Sequence, residues 1–172
     1  MYLISDGGIN TNVLDTIESI MLTKNMKDVD GVKLDVRLSQ DEIFVVSRYE
    51  ELEKFTYSKG TINNHNYNYL RKVKFPSHIF KYFIPTLDEI LKNYNKNKII
   101  VLEIYSSYNL DKLYILLKNY SYKYYFLSKE DIIINRLIEH NFNEIGKILN
   151  SDMIINSISS NDLYTNTFLI KD

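Results

Sequence analysis

The stretch Val32-Lys33-Leu34-Asp35-Val36-Arg37-Leu38-Ser39-Gln40-Asp41-Glu42-Ile43-Phe44-Val45-Val46 holds two apolar segments parted by a polar turn. Val32 to Val36 reads as a strand, and because side chains alternate along a strand, Lys33 and Asp35 project to the same side. Ile43 to Val46 is the next strand. Ser39-Gln40-Asp41-Glu42 supplies the turn residues of a hairpin-like connection between the two.

Outward from this pair, short apolar runs alternate with helical patterns. Tyr2-Leu3-Ile4 reads as the first strand, ending at Asp6-Gly7-Gly8, where two glycines permit positive φ and close backbone approach. A helix is expected from Thr11 or Asn12, with Val13, Ile17, Ile20 and Met21 on one face. Pro85 precedes a short helix carrying Leu87, Ile90 and Leu91, and Lys98 to Ile104 is a nearly all-apolar strand of the kind covered on both faces. Leu110 to Leu117 reads as helix, Tyr124 to Leu127 as strand, Ser128 to Glu139 as a helix capped by Ser128, and Ile145 to Leu149 as strand. Met153 to Ile155 and Phe168 to Ile170 are weaker strands. Strand, helix, strand in series predicts parallel βαβ units, hence a doubly wound sheet or a barrel. Asp6-Gly7-Gly8-Ile9 lacks the third glycine of a dinucleotide fingerprint, which favours the barrel. A full (β/α)₈ barrel needs about 200 residues, so about six strands are expected here, an incomplete barrel.

The chain has 172 residues with 21 basic and 22 acidic side chains, a net charge of −1. Cutting after Thr86 leaves 11 basic and 11 acidic residues before and 10 and 11 after, so no basic arm is hidden, and nucleic acid is excluded as the default partner. There is no cysteine, hence no disulfide or thiolate chemistry, and no run of apolar residues long enough for a membrane span. A single domain, 1–172, in the cytoplasm is the expectation. The abundance of Asn, Lys, Ile and Tyr looks like codon choice in an AT-rich genome, so the cluster Tyr120, Tyr122, Tyr124, Tyr125 is read as ordinary structure. From Ser47 to Phe83 no period holds; 37 residues exceed a plain connection and suggest a functional or partner-contacting excursion.

These segments resemble the glycerophosphodiester phosphodiesterase family. Lys33-Leu34-Asp35-Val36 stands where that family has Glu-x-Asp-Val, Val45-Val46-Ser47-Arg48-Tyr49 where it has Val-Val-x-His-Asp, and Phe55-Thr56 with Gly60-Thr61-Ile62 where it has Arg-x-Thr and Gly-x-Ile. Ile84-Pro85-Thr86-Leu87-Asp88-Glu89-Ile90-Leu91 is similar to its Ile-Pro-Thr-Leu-x-Glu-x-Leu, and Leu102-Glu103-Ile104-Tyr105 to its Ile-Glu-Ile-Lys. Ser5-Asp6-Gly7 sits at its His-Arg-Gly, and Asn10-Thr11 echoes its Glu-Asn-Thr. The resemblance runs from Tyr2 to about Leu149 and implies a TIM-type barrel with an insertion at about 47–83, after the second barrel strand region. The family's closing Trp-Thr segment has no counterpart.

Phosphodiester cleavage requires cationic stabilisation of the phosphoryl oxygens, an acid for the leaving alkoxide and a base for the nucleophile. The resemblance implies two histidines and a divalent metal on three carboxylates. Here the histidine positions are Ser5 and Arg48, neither able to serve, and the flanking Arg is Asp6. Arg stays charged at any working pH. One metal carboxylate is replaced by Lys33; Asp35 and Glu103 are kept, and Tyr105 replaces the following Lys. Lys33 is expected among the retained acids, where its ammonium supplies the metal's charge. His65, His78 and His140 match no family position and read as surface or structural.

The expectation is a catalytically degenerate, non-catalytic binding or interaction protein without a cofactor. Its site would comprise Asp6, Lys33, Asp35, Arg48, Glu103 and Tyr105, and its ligand would be a small phosphate ester. The alternative is an active phosphoric diester hydrolase of lipid and glycerol metabolism, using Mg²⁺ or Ca²⁺ on Asp35 and Glu103, with His65 or His78 from the excursion replacing the missing acid–base groups. Open sheet edges invite pairing with another chain, so a homo-oligomer or a C-terminal segment covering the gap is expected.

Overall fold

The structure, a computed structural model, describes residues 1–8, 14–76, 82–149, 154–155 and 167–171. Of the expectations above, Ile9, Asn10, Thr11, Asn12, Val13, His78 and Met153 lie outside the described residues.

Five strands run parallel: β1 (Tyr2–Asp6), β2 (Gly31–Leu38), β4 (Ile99–Ile104), β5 (Lys123–Leu127) and β6 (Gly146–Ile148). The hairpin strand β3 (Phe44–Val46) pairs antiparallel with β2. Two further strands, β7 (Ile154–Ile155) and β8 (Thr167–Ile170), extend the sheet beyond β1 in antiparallel sense, giving the order β6-β5-β4-β2-β1-β8-β7. β8 therefore covers the β1 edge with Tyr2 opposite Ile170 and Ser5 opposite Thr167. Chain length dictates that this sheet curls. In a flat sheet its two end strands would lie roughly 29 Å apart, at about 4.8 Å per strand. The five residues between Ile148 and Ile154 span at most about 21 Å. The result is an incomplete α/β barrel.

Alternation along the strands separates two cores. Val32, Leu34 and Val36 of β2 join Ile100, Leu102 and Ile104 of β4 and Tyr124 and Phe126 of β5 on the outer face. Helices α1 (Ile17–Thr23), α3 (Leu87–Asn93), α4 (Leu110–Lys118) and α5 (Asp131–Glu139) cover it through Ile20, Leu87, Leu113 and Leu137. The inner face holds Ile4, Ile99, Val101, Tyr125 and Ile170. Among the described residues no helix is long and apolar enough to cross a membrane.

Two helix starts differ from expectation. α1 opens at Ile17, not at Thr11 or Asn12: Thr16 is its N-cap, in a reciprocal box with Ser19. α5 opens at Asp131, because Lys129 and Glu130 intervene and Glu130 is still extended (φ −109°, ψ 117°). Ser128 accepts from the Glu130 N–H instead of capping the helix. The segment after β3 is not structureless. It holds single turns at Leu52–Lys54 and Ile62–Asn64 and the short helix α2 (Tyr67–Leu70). Leu52, Ile62, Leu70, Val73 and Phe75 pack with Val45 and Ile84 into a third cluster. Its outer tie is Arg71, paired with Glu89, itself the capping-box partner of Thr86 at the start of α3.

Candidate functional site

The parallel register gathers charge at the carboxyl ends of three strands. Asp6 of β1 lies opposite Lys33 of β2, and Asp35 of β2 lies opposite Glu103 of β4. All four point to the inner face. The Lys33 Nζ stands 2.5 Å from Glu103 Oε2, 3.1 Å from Asp6 Oδ1 and 3.2 Å from Asp35 Oδ1. Tyr105, leaving β4, donates its hydroxyl to Asp35 Oδ1 at 2.9 Å. Asp35 and Glu103 are buried, and their second oxygens, Oδ2 and Oε1, make no hydrogen bond; Glu103 Oε1 has only the Lys129 ammonium, 3.9 Å away.

Arg48 follows β3 and approaches from the side. Its Nη2 lies 3.1 Å from Asp6 Oδ1 and donates to the Asp6 carbonyl, while Nε is 3.5 Å from Asp15 Oδ2. The Arg48 backbone N–H also donates to Asp15 Oδ2, at 3.1 Å. Gly7 makes this approach possible: its φ is +73°, and a Cβ there would stand 2.3 Å from Asp15 Oδ1 and 3.0 Å from Arg48 Nη2. The exit from β3 is fixed by Arg37, which donates to the carbonyls of Ser47 and Arg48, pairs with Glu50, and lies 4.0 Å over the Tyr105 ring.

The six sequence-selected site residues, Asp6, Lys33, Asp35, Arg48, Glu103 and Tyr105, are thus brought together. Ser5 is not. It lies on the other face of β1, fully buried, and its hydroxyl donates to the Gly8 carbonyl. Asp15 and Arg37 were not selected. Nothing local marks Asp15, since its role depends on where Gly7 and Arg48 meet in space. Arg37 carried a readable signal: it lies two residues beyond Asp35 on β2 and so shares its face. His65 stacks on Tyr69 at 4.3 Å, and His140 contacts Asp111 at 2.7 Å; neither contacts the cluster.

The electrostatics follow from this packing. Burial disfavours the Lys33 ammonium, but Asp35, Asp6 and Glu103 outweigh it and raise its pKa. Burial also works against the Glu103 carboxylate, yet Lys33 overcomes it and holds Glu103 below the usual range. Asp35 is raised, because burial, with Glu103 and Asp6 nearby, exceeds the help from Lys33. Burial, aided by Asp35 and opposed by Arg48, pushes Asp15 up to about 7. Asp15 is buried against Arg48 and Gly7, at the wall of a small cavity it shares with Arg48 and Tyr49.

A stability prediction follows from Asp15. Its folded pKa exceeds its unfolded one, so its contribution is fully present below about pH 4 and fades as the pH rises to about 7. Asp15→Asn should therefore flatten part of the fall in urea midpoint between those values. Parallel pH profiles for parent and variant would contradict this.

The Lys33 ammonium stands where a divalent cation would bridge these carboxylates. Calcium or magnesium binds oxygen donors at about 2.0–2.6 Å, and the place between Asp6, Asp35 and Glu103 is taken by the Lys33 ammonium. Among the described residues no group of three acidic or histidine side chains is arranged to hold a metal ion.

No protein-family profile and no curated protein matches the chain. Solved structures do. A glycerophosphodiester phosphodiesterase from Agrobacterium tumefaciens superposes with a TM-score of 0.76 at 20% identity, over 87% of this chain and 67% of that one. The enzyme of the same description from Thermotoga maritima gives 0.69 at 24% identity, over 87% and 62%. An Oleispira antarctica phosphodiesterase, in complex with the product sn-glycerol-3-phosphate, gives 0.70 at 19% identity, over 79% and 60%. The chain thus spans about two thirds or less of the length of these proteins, and shares their fold.

Proposed function

We propose that this chain, built on the fold of the glycerophosphodiester phosphodiesterases, is a catalytically degenerate relative that binds rather than hydrolyses. The observation that carries the reading is the Lys33 ammonium, ion-paired with Asp6, Asp35 and Glu103. With Arg48 on Asp6, this internal cation offsets two of the three carboxylate charges without a metal, leaving no bound Lewis acid to polarise a phosphoryl group. No histidine contacts this cluster among the described residues, and the Arg48 guanidinium cannot cycle a proton. On this reading Mg²⁺ and Ca²⁺ are not cofactors.

The test is hydrolysis of glycerophosphocholine with and without Mg²⁺ or Ca²⁺. Missing acid and base groups each remove ~10²–10⁴ in rate, so no turnover above background is expected. Turnover abolished by Asp35→Asn or Glu103→Gln would establish an active diester hydrolase and overturn the reading.

A further inference from the structure

Beside the charge cluster, and separated from it by Tyr105 and Arg37, lies a cavity of about 600 Å³. It opens between the β2–β3 turn, the loop from β4 into α4, and the segment that follows β3. Its size suits a small molecule. We propose that this cavity binds a small hydroxylated amine, an amino alcohol or amino sugar.

Charge decides the class. Arg37 is the only cationic residue in the lining, and its donors already serve the Ser47 and Arg48 carbonyls and Glu50. Three carboxylates face it, Glu42, Glu50 and Glu130. Glu42 is paired with Lys112 and Glu50 with Arg37, but Glu130 forms no ion pair with the described residues. A phosphate would therefore meet surplus negative charge and no free cation. Helix N-termini do attract anions, and α4 and α5 both begin here. Each already carries an acid in its first turn, Asp111 in α4 and Asp131 in α5.

The rest of the wall suits hydroxyl groups. Ser106, Ser107, Gln40 and Asn109 offer donors and acceptors in several directions. Tyr108 is 76% exposed at this wall, a ring against which the C–H face of a sugar or an ammonium can pack. A ligand with hydroxyls for the amides and an ammonium for Glu130 satisfies both sets.

The inference rests on the preceding reading only in leaving Lys33 engaged with its carboxylates. It is tested by titrating the full chain with glucosamine, ethanolamine, glucose and sn-glycerol-3-phosphate while following backbone amide NMR shifts. Glucosamine or ethanolamine should move the amides of residues 105–109 and Glu130, more strongly than glucose. The Glu130→Gln variant, at an exposed position with an unchanged melting temperature, should bind the amine about tenfold more weakly. Shifts with sn-glycerol-3-phosphate and none with either amine would overturn the proposal, as would equal affinity for parent and variant. Glycerophosphodiester hydrolysis would sink the non-catalytic reading without moving these shifts, so the two failures are distinguishable.

Discussion

Replacing Lys33 by Met should lower the unfolding free energy at pH 7 by about 3–5 kcal/mol, the cost of removing one partner from a buried ion cluster. The thioether keeps most of the stem's packing volume, so the loss is electrostatic. Without the ammonium, Asp35 and Glu103 face each other across adjacent strands with Asp6 beside them. The sign of the pH dependence separates this from a packing defect. With Lys33 gone the carboxyl pKa values rise, so the variant gains stability relative to the parent as the pH falls and the carboxyls protonate. Urea unfolding at several pH values reads both effects. A deficit that is the same at pH 5 and pH 7 would assign the loss to packing.

The second large effect is expected at the other end of the chain. Removing residues 167–172 deletes β8, which pairs with Tyr2 to Ser5 of β1 and seals the inner core through Ile170, itself fully buried beside Ile4 and Tyr125. An unpaired β1 edge and an exposed inner core should abolish cooperative thermal unfolding, since domains of this size hold only about 5–15 kcal/mol in reserve. Ile170→Ala, which keeps the backbone pairing, should cost about 2–5 kcal/mol. A truncated chain that melts cooperatively at the parent temperature would show that β8 is dispensable.

The parallel core was readable because each strand declares its burial. β4 is apolar at Ile99 to Leu102 because Ile100 and Leu102 meet helices while Ile99 and Val101 fill the inner core. Alternation made the shared face of Lys33 and Asp35 readable, and Glu103 joined them through the family resemblance of its strand. Pairings made only in three dimensions were not readable. A C-terminal segment covering an open edge is expected from the sequence, but the antiparallel register of β8 on β1 leaves no local pattern. Asp15 joins the site through the left-handed turn at Gly7 and the reach of Arg48. Alternation with Asp6 turns the Ser5 side chain to the opposite face, away from the cluster. Thr16 and Ser128 show a further limit: several residues near a helix start can cap it, and backbone conformation decides between them.

The claim that Lys33 stands in for a metal is tested most directly by thermal unfolding of the parent and of Lys33→Glu, each in chelator and in excess Ca²⁺ or Mg²⁺. The account predicts a parent whose melting temperature ignores both conditions. It predicts a variant that melts lower in chelator and recovers when the ion is added, because the substitution places a fourth carboxylate beside Asp6, Asp35 and Glu103. A parent stabilised by Ca²⁺ or Mg²⁺, or a variant indifferent to them, would contradict it.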